Sequence, residues 1–374
     1  MKYVDEFRDG EVAAKLAQTI GAEVRTDQTY HLMEFCGGHT HAISRHGLID
    51  LLPANVEMIH GPGCPVCVLP TARLESAIHL ALEEGVILCS YGDMMRVPTS
   101  NGLSLLKARA QGADVRMIYS TLDAIKVAED NPDCHVVLFA IGFETTTPPT
   151  AVAIQLAKER GLKNFSVFCN HVLTPAAIQG ILDGADGKTP LDGVLGPSHV
   201  STIIGSKAYE YFAKSHALPV VIAGFEPLDV MQSILMLIRQ VNAGHHVVEN
   251  QYTRAVTQNG NQKAQGLVAD VFELRSSFEW RGLGVVPDSA LSIRQAYDAF
   301  DAEKRFTLPP FKGADHKACA CAEIIRGQKK PLDCSLFGKA CTPDNPLGAC
   351  MVSSEGTCAA HWTYGRFRDT EVAR

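Results

Sequence analysis

Between residues 28 and 245, short runs of consecutive apolar residues alternate with longer segments whose apolar positions recur every three to four residues. The runs "YHLMEF", "VEMIHG", "GVILCS", "VRMIYS", "HVVLFAIG", "FSVFCN", "GVLG" and "LPVVIAG" predict strands. Several carry Val and Ile on successive positions, which suits strands covered on both faces, as in a parallel sheet. "TARLESAIHLALEEG", "TPPTAVAIQLAKERG" and "PLDVMQSILMLIRQVNAG" predict helices between them. The last two open near proline and close at glycine, as helix ends prefer. The pattern predicts an α/β protein of two units divided near "AEDNPDC". An echo supports two similar units: "IGFETTTPP" at 141–149 and "AGFEPLD" at 223–229 both set Gly-Phe-Glu between an apolar strand and a helix.

After residue 245 the pattern changes. "NQYTRAVTQNGNQKAQGLV" is polar, "SALSIRQAYDAF" reads as a further helix, and from "TLPPFKG" onward the chain is rich in Gly, Pro and Cys with little periodicity. Such a tail has a poor core of its own, so a metal cluster could organise it. The expected division is therefore 28–130, 131–249 and a cluster-bearing 250–374, with a helix in 1–27 packed on the last.

Charge and composition narrow the function. The net charge of -7 gives no general attraction to phosphate backbones, and Lys and Arg are scattered, so nucleic acid is not an expected partner. The amphipathic start has no apolar signal core, and no later run reaches the roughly 18 residues that span a bilayer. No membrane association is expected, and a cytoplasmic location is. In a reducing compartment twelve cysteines are better read as metal ligands or redox groups than as structural disulfides.

Half of those cysteines, Cys319, Cys321, Cys334, Cys341, Cys350 and Cys358, fall within forty residues of the tail. Four thiolates around an iron-sulfur cluster is the leading reading; a structural zinc site would favour tight CxxC knuckles, which the tail lacks. Cys319, Cys334, Cys341 and Cys358 are the expected ligands, leaving Cys321 and Cys350 as a dithiol or disulfide beside them. Exchanging Cys319 with Cys321 would leave that argument almost unchanged.

A second constellation is "HGPGCPVCVLP", where Cys64 and Cys67 form a CxxC between a strand and the helix opening at Thr71, a setting for reversible disulfide chemistry or transient metal ligation. In a third, "MEFCGGHTHA", Cys36 ends a strand, Gly37 and Gly38 let the backbone turn, and His39 returns within reach of the thiol. A Cys–His pair can activate a nucleophile or bind a soft metal; His41, His46 and His60 are close in sequence. Ligands of open parallel sheets bind outside the carboxyl ends of strands, where all these motifs fall. Glu144, Thr145, Thr146, Glu226, Asn170, His171, Ser198 and His199 could line a cleft there. Cys89, Cys134 and Cys169 read as core, and no phosphate-binding loop occurs.

Taken in order, "FCGGHTHAISRHG", "HGPGCPVCVLP", "YGDMMRVP", "GFETTTPPTA", "GPSHVSTIIG", "AGFEPLD" and "CTPDNPLGACMVSSEGTCAA" resemble the HypD family of hydrogenase maturation factors over nearly the whole chain. The resemblance implies two similar open parallel-sheet α/β domains flanking a cleft, plus a smaller domain holding a [4Fe-4S] cluster. It implies assembly of the Fe(CN)2CO group of [NiFe]-hydrogenases, with a HypC-type chaperone and with cyanide from HypE. Cys36 and His39 match the family's iron-site motif, Cys64 and Cys67 its redox CxxC, and Cys319, Cys334, Cys341 and Cys358 its cluster ligands. Cys321 with Cys350 matches a cluster-adjacent thiol pair like that of ferredoxin:thioredoxin reductases. Two other classes stay open: a [4Fe-4S]-linked disulfide reductase acting on a partner protein, and a passive scaffold whose cluster only folds the tail.

Overall fold

The computed structural model describes residues 5–184 and 189–365. All eight predicted strands form: β1 (Tyr30–Glu34), β2 (Val56–His60), β3 (Ile87–Tyr91), β4 (Val115–Ile118), β5 (Val136–Gly142), β6 (Phe165–His171), β7 (Gly193–Gly196) and β8 (Val220–Ile222). A ninth, β9 (Val248–Asn250), follows the last predicted helix. Every residue of β5 and β6 is buried, which is what their unbroken apolar runs require of strands covered on both faces.

The nine strands make two parallel sheets, ordered β2-β1-β7-β8-β9 and β4-β3-β5-β6. Strand pairing does not follow the expected division at residue 130. Residues 28–130 put β1 and β2 in one sheet and β3 and β4 in the other: Met33 pairs with Val194, whereas Leu88 pairs with Val137. The chain leaves the first sheet after β2, completes the second, and returns at β7. Parallel strands are joined by long crossovers, so local pattern fixes where a strand is but not which strand lies beside it. The two Gly-Phe-Glu motifs end β5 and follow β8, one in each sheet, and lead into the helices Thr147–Glu159 and Pro227–Ala243.

The helix Gly10–Glu23 packs mainly against Pro227–Ala243 of the five-stranded unit, and Phe7 just before it stacks on Arg254. Ile20 joins the apolar cluster of Ile234 and Ile238, and Glu23 pairs with Arg239. The C-terminal part also departs from expectation. Phe272–Trp280 (β10) and Gly284–Ile293 (β11) form an antiparallel hairpin, so "SALSI" is strand and only Gln295–Phe300 is helical, as 3-10 turns. The physical reason is tertiary: Ser289 hydrogen-bonds Trp280 Nε1 at 2.9 Å and its carbonyl accepts from Leu173, contacts that local propensity does not register. Cys89 and Cys169 are core, while Cys134 lies exposed in the turn before β5.

The cysteine-rich tail has no separate core. Its cysteines share one apolar cluster with Cys64, Cys67, Leu74 and Trp280. A buried cation ties the hairpin to this cluster: Arg281 Nε donates to the Leu69 carbonyl (3.1 Å), Nη2 to Thr71 Oγ1 (3.0 Å), and Nη1 lies 3.4 Å from Asp315. Arg281→Met would strip these partners without filling their hydrogen-bonding capacity. A loss of about 3 kcal/mol is expected, read as a lower urea midpoint; an unchanged midpoint would show the clamp to be dispensable.

Candidate functional site

Cys36 stands where β1 stops and the helix Gly37–His46 begins, in extended backbone with φ -145°. Neither Gly37 nor Gly38 has positive φ, so the junction is not the glycine turn that the sequence suggests. Both are needed for close approach. A Cβ on Gly37 would lie 2.3 Å from Glu355 Cβ, and one on Gly38 would lie 2.5 Å from the Phe225 ring.

The junction is organised by Glu34, a fully buried carboxylate that sequence reading passed over. It accepts from the Cys36 amide (2.7 Å), from the Thr40 hydroxyl and from His60 Nδ1 (2.8 Å), tying the ends of β1 and β2 to the start of the helix. A glutamate inside the apolar run "LMEF" was the available signal. Burial first, then the negative charges of Glu355 and Glu34, push the Cys36 thiol up to about 12; the amides of Gly38 and His39 oppose this. A bound metal cation would reverse that balance and hold a thiolate.

The His39 imidazole does not hydrogen-bond the Cys36 thiol. Its Nε2 lies 3.0 Å from the Gly224 carbonyl, 3.0 Å from Ser198 Oγ and 3.3 Å from the Ala223 carbonyl. Carbonyls only accept, so Nε2 carries the proton, and Nδ1 is left as a buried lone pair without a hydrogen-bond partner. Burial lowers the imidazole pKa, keeping it neutral. The other histidines lie elsewhere: His41 contacts Tyr364, His46 is exposed, and His60 serves Glu34.

Cys36 opens into a cleft of about 510 Å³ between the two sheets. The carboxyl ends of strands from both sheets line it through Phe35, Asp93 and Ile141, and the tail contributes Ser353 and Glu355. Ser353 Oγ donates to Asp93 at 2.6 Å, and burial with Asp93 and Glu34 nearby raises Glu355 to about 7. Asp93, Ser353 and Glu355 were quoted within motifs but not singled out as site residues. Their convergence depends on chain segments some 260 residues apart in sequence. Of the candidate cleft residues, Thr145, Thr146 and His199 line it, and His199 packs on Phe225 with ring centroids 4.0 Å apart. Ser198 holds His39; Asn170 binds Arg73; His171 binds Thr150; Glu226 pairs with Arg8.

The CxxC forms a one-turn helix, Pro65–Val68, in which Cys64 and Cys67 are joined as a disulfide. Its approach to Cys36 is backbone on backbone. Gly61 donates to the Glu34 carbonyl at 2.9 Å, Gly37 donates to the Gly63 carbonyl at 3.2 Å, and a Cβ on Gly63 would lie 2.5 Å from the Cys36 nitrogen. On its other side the turn packs against Ala349–Met351, which carries Cys350.

Cys321 and Cys350 have their sulfurs 2.7 Å apart, beneath a small pocket that Cys319, Cys334, Cys341 and Cys358 also line. The donor set suits an iron-sulfur cluster: four thiols beyond the Cys321/Cys350 pair, apolar walls from Ile324 and Met351, and the Leu347 amide donating to Cys341 Sγ at 3.4 Å. Among the described residues no three Cys, His, Asp or Glu side chains converge as ligands of a single ion. The thiols of Cys319 and Cys358 are raised, the first by its hydrogen bond to Cys321 and then burial, the second by burial. The thiols of Cys321 and Cys350 are raised as well: the hydrogen bonds of Cys319 to Cys321 and of Cys321 to Cys350 lower them, but burial and the neighbouring thiols outweigh this together with the smaller pull of the Arg281 guanidinium.

Fold and site define a two-sheet α/β protein in which Cys36 opens into a cleft, the CxxC lies against the Cys36 backbone, and the tail thiols share an apolar core with the CxxC. The family model described as "HypD: Hydrogenase formation hypA family" matches residues 11–365. The chain is 64% identical to the hydrogenase maturation factor HypD of Rhizobium leguminosarum bv. viciae, covering 99% of this chain and 97% of that protein. It is 63% identical to HypD of Azotobacter vinelandii, over 100% and 99% of the two chains. With HypD of Escherichia coli it shares 46% identity, over 97% and 98%. The chain belongs to the HypD family.

Glu144 marks the boundary between site and scaffold. It is buried, accepts from the Thr174 amide (2.9 Å) and hydroxyl (3.0 Å), and burial lifts its pKa from 4.5 to about 7. The folded state thus binds a proton that the unfolded chain has released, and stability falls as pH rises between those two values, then levels. Glu144→Gln removes that slope. Its urea midpoint should gain on the wild type between about pH 5 and about pH 8; a constant difference would contradict the assignment.

Proposed function

We propose that this protein is a hydrogenase maturation factor on which the Fe(CN)2CO group is assembled, with the iron held between Cys36 and a thiol of a HypC-type chaperone. The observation that carries this reading is the placement of Cys36: a single thiol, otherwise buried, opening into a cleft wide enough for a compact iron group and a partner segment. Ferrous iron carrying cyanide and carbon monoxide suits thiolate ligation, and iron is here the cargo of the reaction. Cyanide would come from HypE. His39, neutral and fixed through Nε2, positions the first turn behind Cys36 and keeps Nδ1 available as an acceptor or ligand.

Cys319, Cys334, Cys341 and Cys358 would hold the [4Fe-4S] cluster, which when bound supplies electrons one at a time. The remaining thiols transmit reduction. A thiolate of the Cys321/Cys350 pair attacks one sulfur of the Cys64–Cys67 disulfide, the second thiol of the pair displaces it, and a dithiol is left beside Cys36. Two electrons and two protons enter the CxxC as the pair becomes a disulfide. Packing of Pro65–Val68 on the Cys350 segment supports this order. A reductase for partner disulfides would present an accessible thiol; Cys64 is 4% and Cys67 3% exposed, which goes against that alternative.

The test is infrared spectroscopy of the protein co-purified anaerobically with its small chaperone. Cyanide and carbonyl stretching bands are expected in the wild type and should vanish in Cys36→Ala. Bands that persist in the variant would remove Cys36 as the ligand.

A further inference from the structure

One imidazole in the cleft has no task so far. The turn after β7 runs beside the turn that carries Cys36: the two strands are parallel neighbours, Glu34 pairs with Leu195, and the Phe35 amide donates to the Leu195 carbonyl at 3.4 Å. Two residues past that pair the chain has reached Cys36 on one side and Pro197 on the other, so the helix Ser198–Ile204 starts alongside the helix Gly37–His46. Its first residue, Ser198, holds His39, and its second, His199, lines the cleft with Cys36. Phe225 supports both imidazoles. Its ring occupies the space a Cβ on Gly38 would need, and its centroid lies 5.4 Å from that of His39 and 4.0 Å from that of His199. The His39 ring is spent on the Gly224 carbonyl, whereas the His199 ring is exposed and, among the described residues, makes no hydrogen bond.

The rest of the cleft shows why such a group matters. Among the described residues no Lys or Arg lines it, and Asp93 and Glu355 are acids. Cyanide on ferrous iron keeps a lone pair and much of its negative charge on nitrogen, so displacing water from that nitrogen is costly unless a donor replaces it. In this cleft the donor has to be a neutral group. Three lining hydroxyls are already committed: Thr121 donates to the Pro149 carbonyl (3.0 Å), Thr146 to the Phe143 carbonyl (3.0 Å) and Ser353 to Asp93 (2.6 Å). Tyr91, Tyr119, Ser120 and Thr145 stand at strand ends of the second sheet, across the cleft, and Glu355 donates only while it holds a proton. His199 stands on the sheet of Cys36. Desolvation lowers its pKa, which keeps the ring neutral with one N–H.

We propose that His199 donates a hydrogen bond to a cyanide nitrogen of the iron group on Cys36, and so selects cyanide over carbon monoxide at that coordination position. The inference rests on the assembly reading above. Bound carbon monoxide presents a far weaker acceptor than bound cyanide, so one N–H distinguishes two diatomic ligands of nearly equal size. No electron, proton or group is transferred in this step. The two imidazoles divide the work: His39 fixes the turn behind Cys36, and His199 touches the cargo.

The experiment uses the full-length protein co-purified anaerobically with its small chaperone, and infrared spectroscopy reads the cyanide and carbonyl stretching bands. His199→Phe keeps a ring on Phe225 and removes the donor; His199→Asn and His199→Gln each return an N–H. A cyanide band should move to lower wavenumber in His199→Phe, further than the carbonyl band, and recover in at least one amide variant. Bands lost from His199→Phe but kept in an amide variant would also support the donor. Unmoved cyanide bands in His199→Phe, or bands that move or vanish alike in all three variants, would overturn the proposal. A wild type without cyanide and carbonyl bands would instead overturn the assembly reading, and this inference with it.

Discussion

The site depends on one buried carboxylate. Glu34 has no solvent access, and its oxygens are taken by an amide, a hydroxyl and an imidazole from three segments that meet at the end of β1. Leaving such a group unsatisfied would cost several kcal/mol, so the three donors are not interchangeable. Cys36 is placed by that requirement. Its amide is one of the donors, which fixes the backbone that carries the thiol.

From there the thiol sites are joined by close approach and shared packing. Gly61 and Gly63 bring the CxxC turn onto the Cys36 backbone, and the same turn rests on the Cys350 segment. Arg281 secures the hairpin to the residues after the CxxC. The tail thus folds onto the second sheet's core, where its cysteines share one apolar cluster with the CxxC.

Much of this was legible in the sequence. Unbroken apolar runs located eight strands, and the motifs marked Cys36, the CxxC and the tail cysteines because their residue types are costly to place without purpose. Sheet membership was not legible, since β1 and β7 meet only through a crossover of more than 150 residues. "SALSI" was misread because its partner strand, not its own periodicity, decides its conformation. The neighbour of the N-terminal helix was not legible for a similar reason: its apolar face matches any apolar surface, and contacts such as the Glu23–Arg239 pair and the Asn242 amide on the Glu23 carbonyl specify which one. Glu34, Glu355 and Arg281 are ordinary charged residues in sequence and become distinctive only once buried.

The central claim is that the Cys321/Cys350 pair and the Cys64–Cys67 pair form one line of thiol exchange toward Cys36. The most direct measurement is thiol trapping: supply a one-electron reductant anaerobically, alkylate, and read Cys64 and Cys67 by mass spectrometry, in wild type and in Cys350→Ser. The account predicts alkylated Cys64 and Cys67 in the wild type and an intact disulfide in the variant. Equal alkylation in both would contradict it, because reduction would then reach the CxxC without passing through the pair.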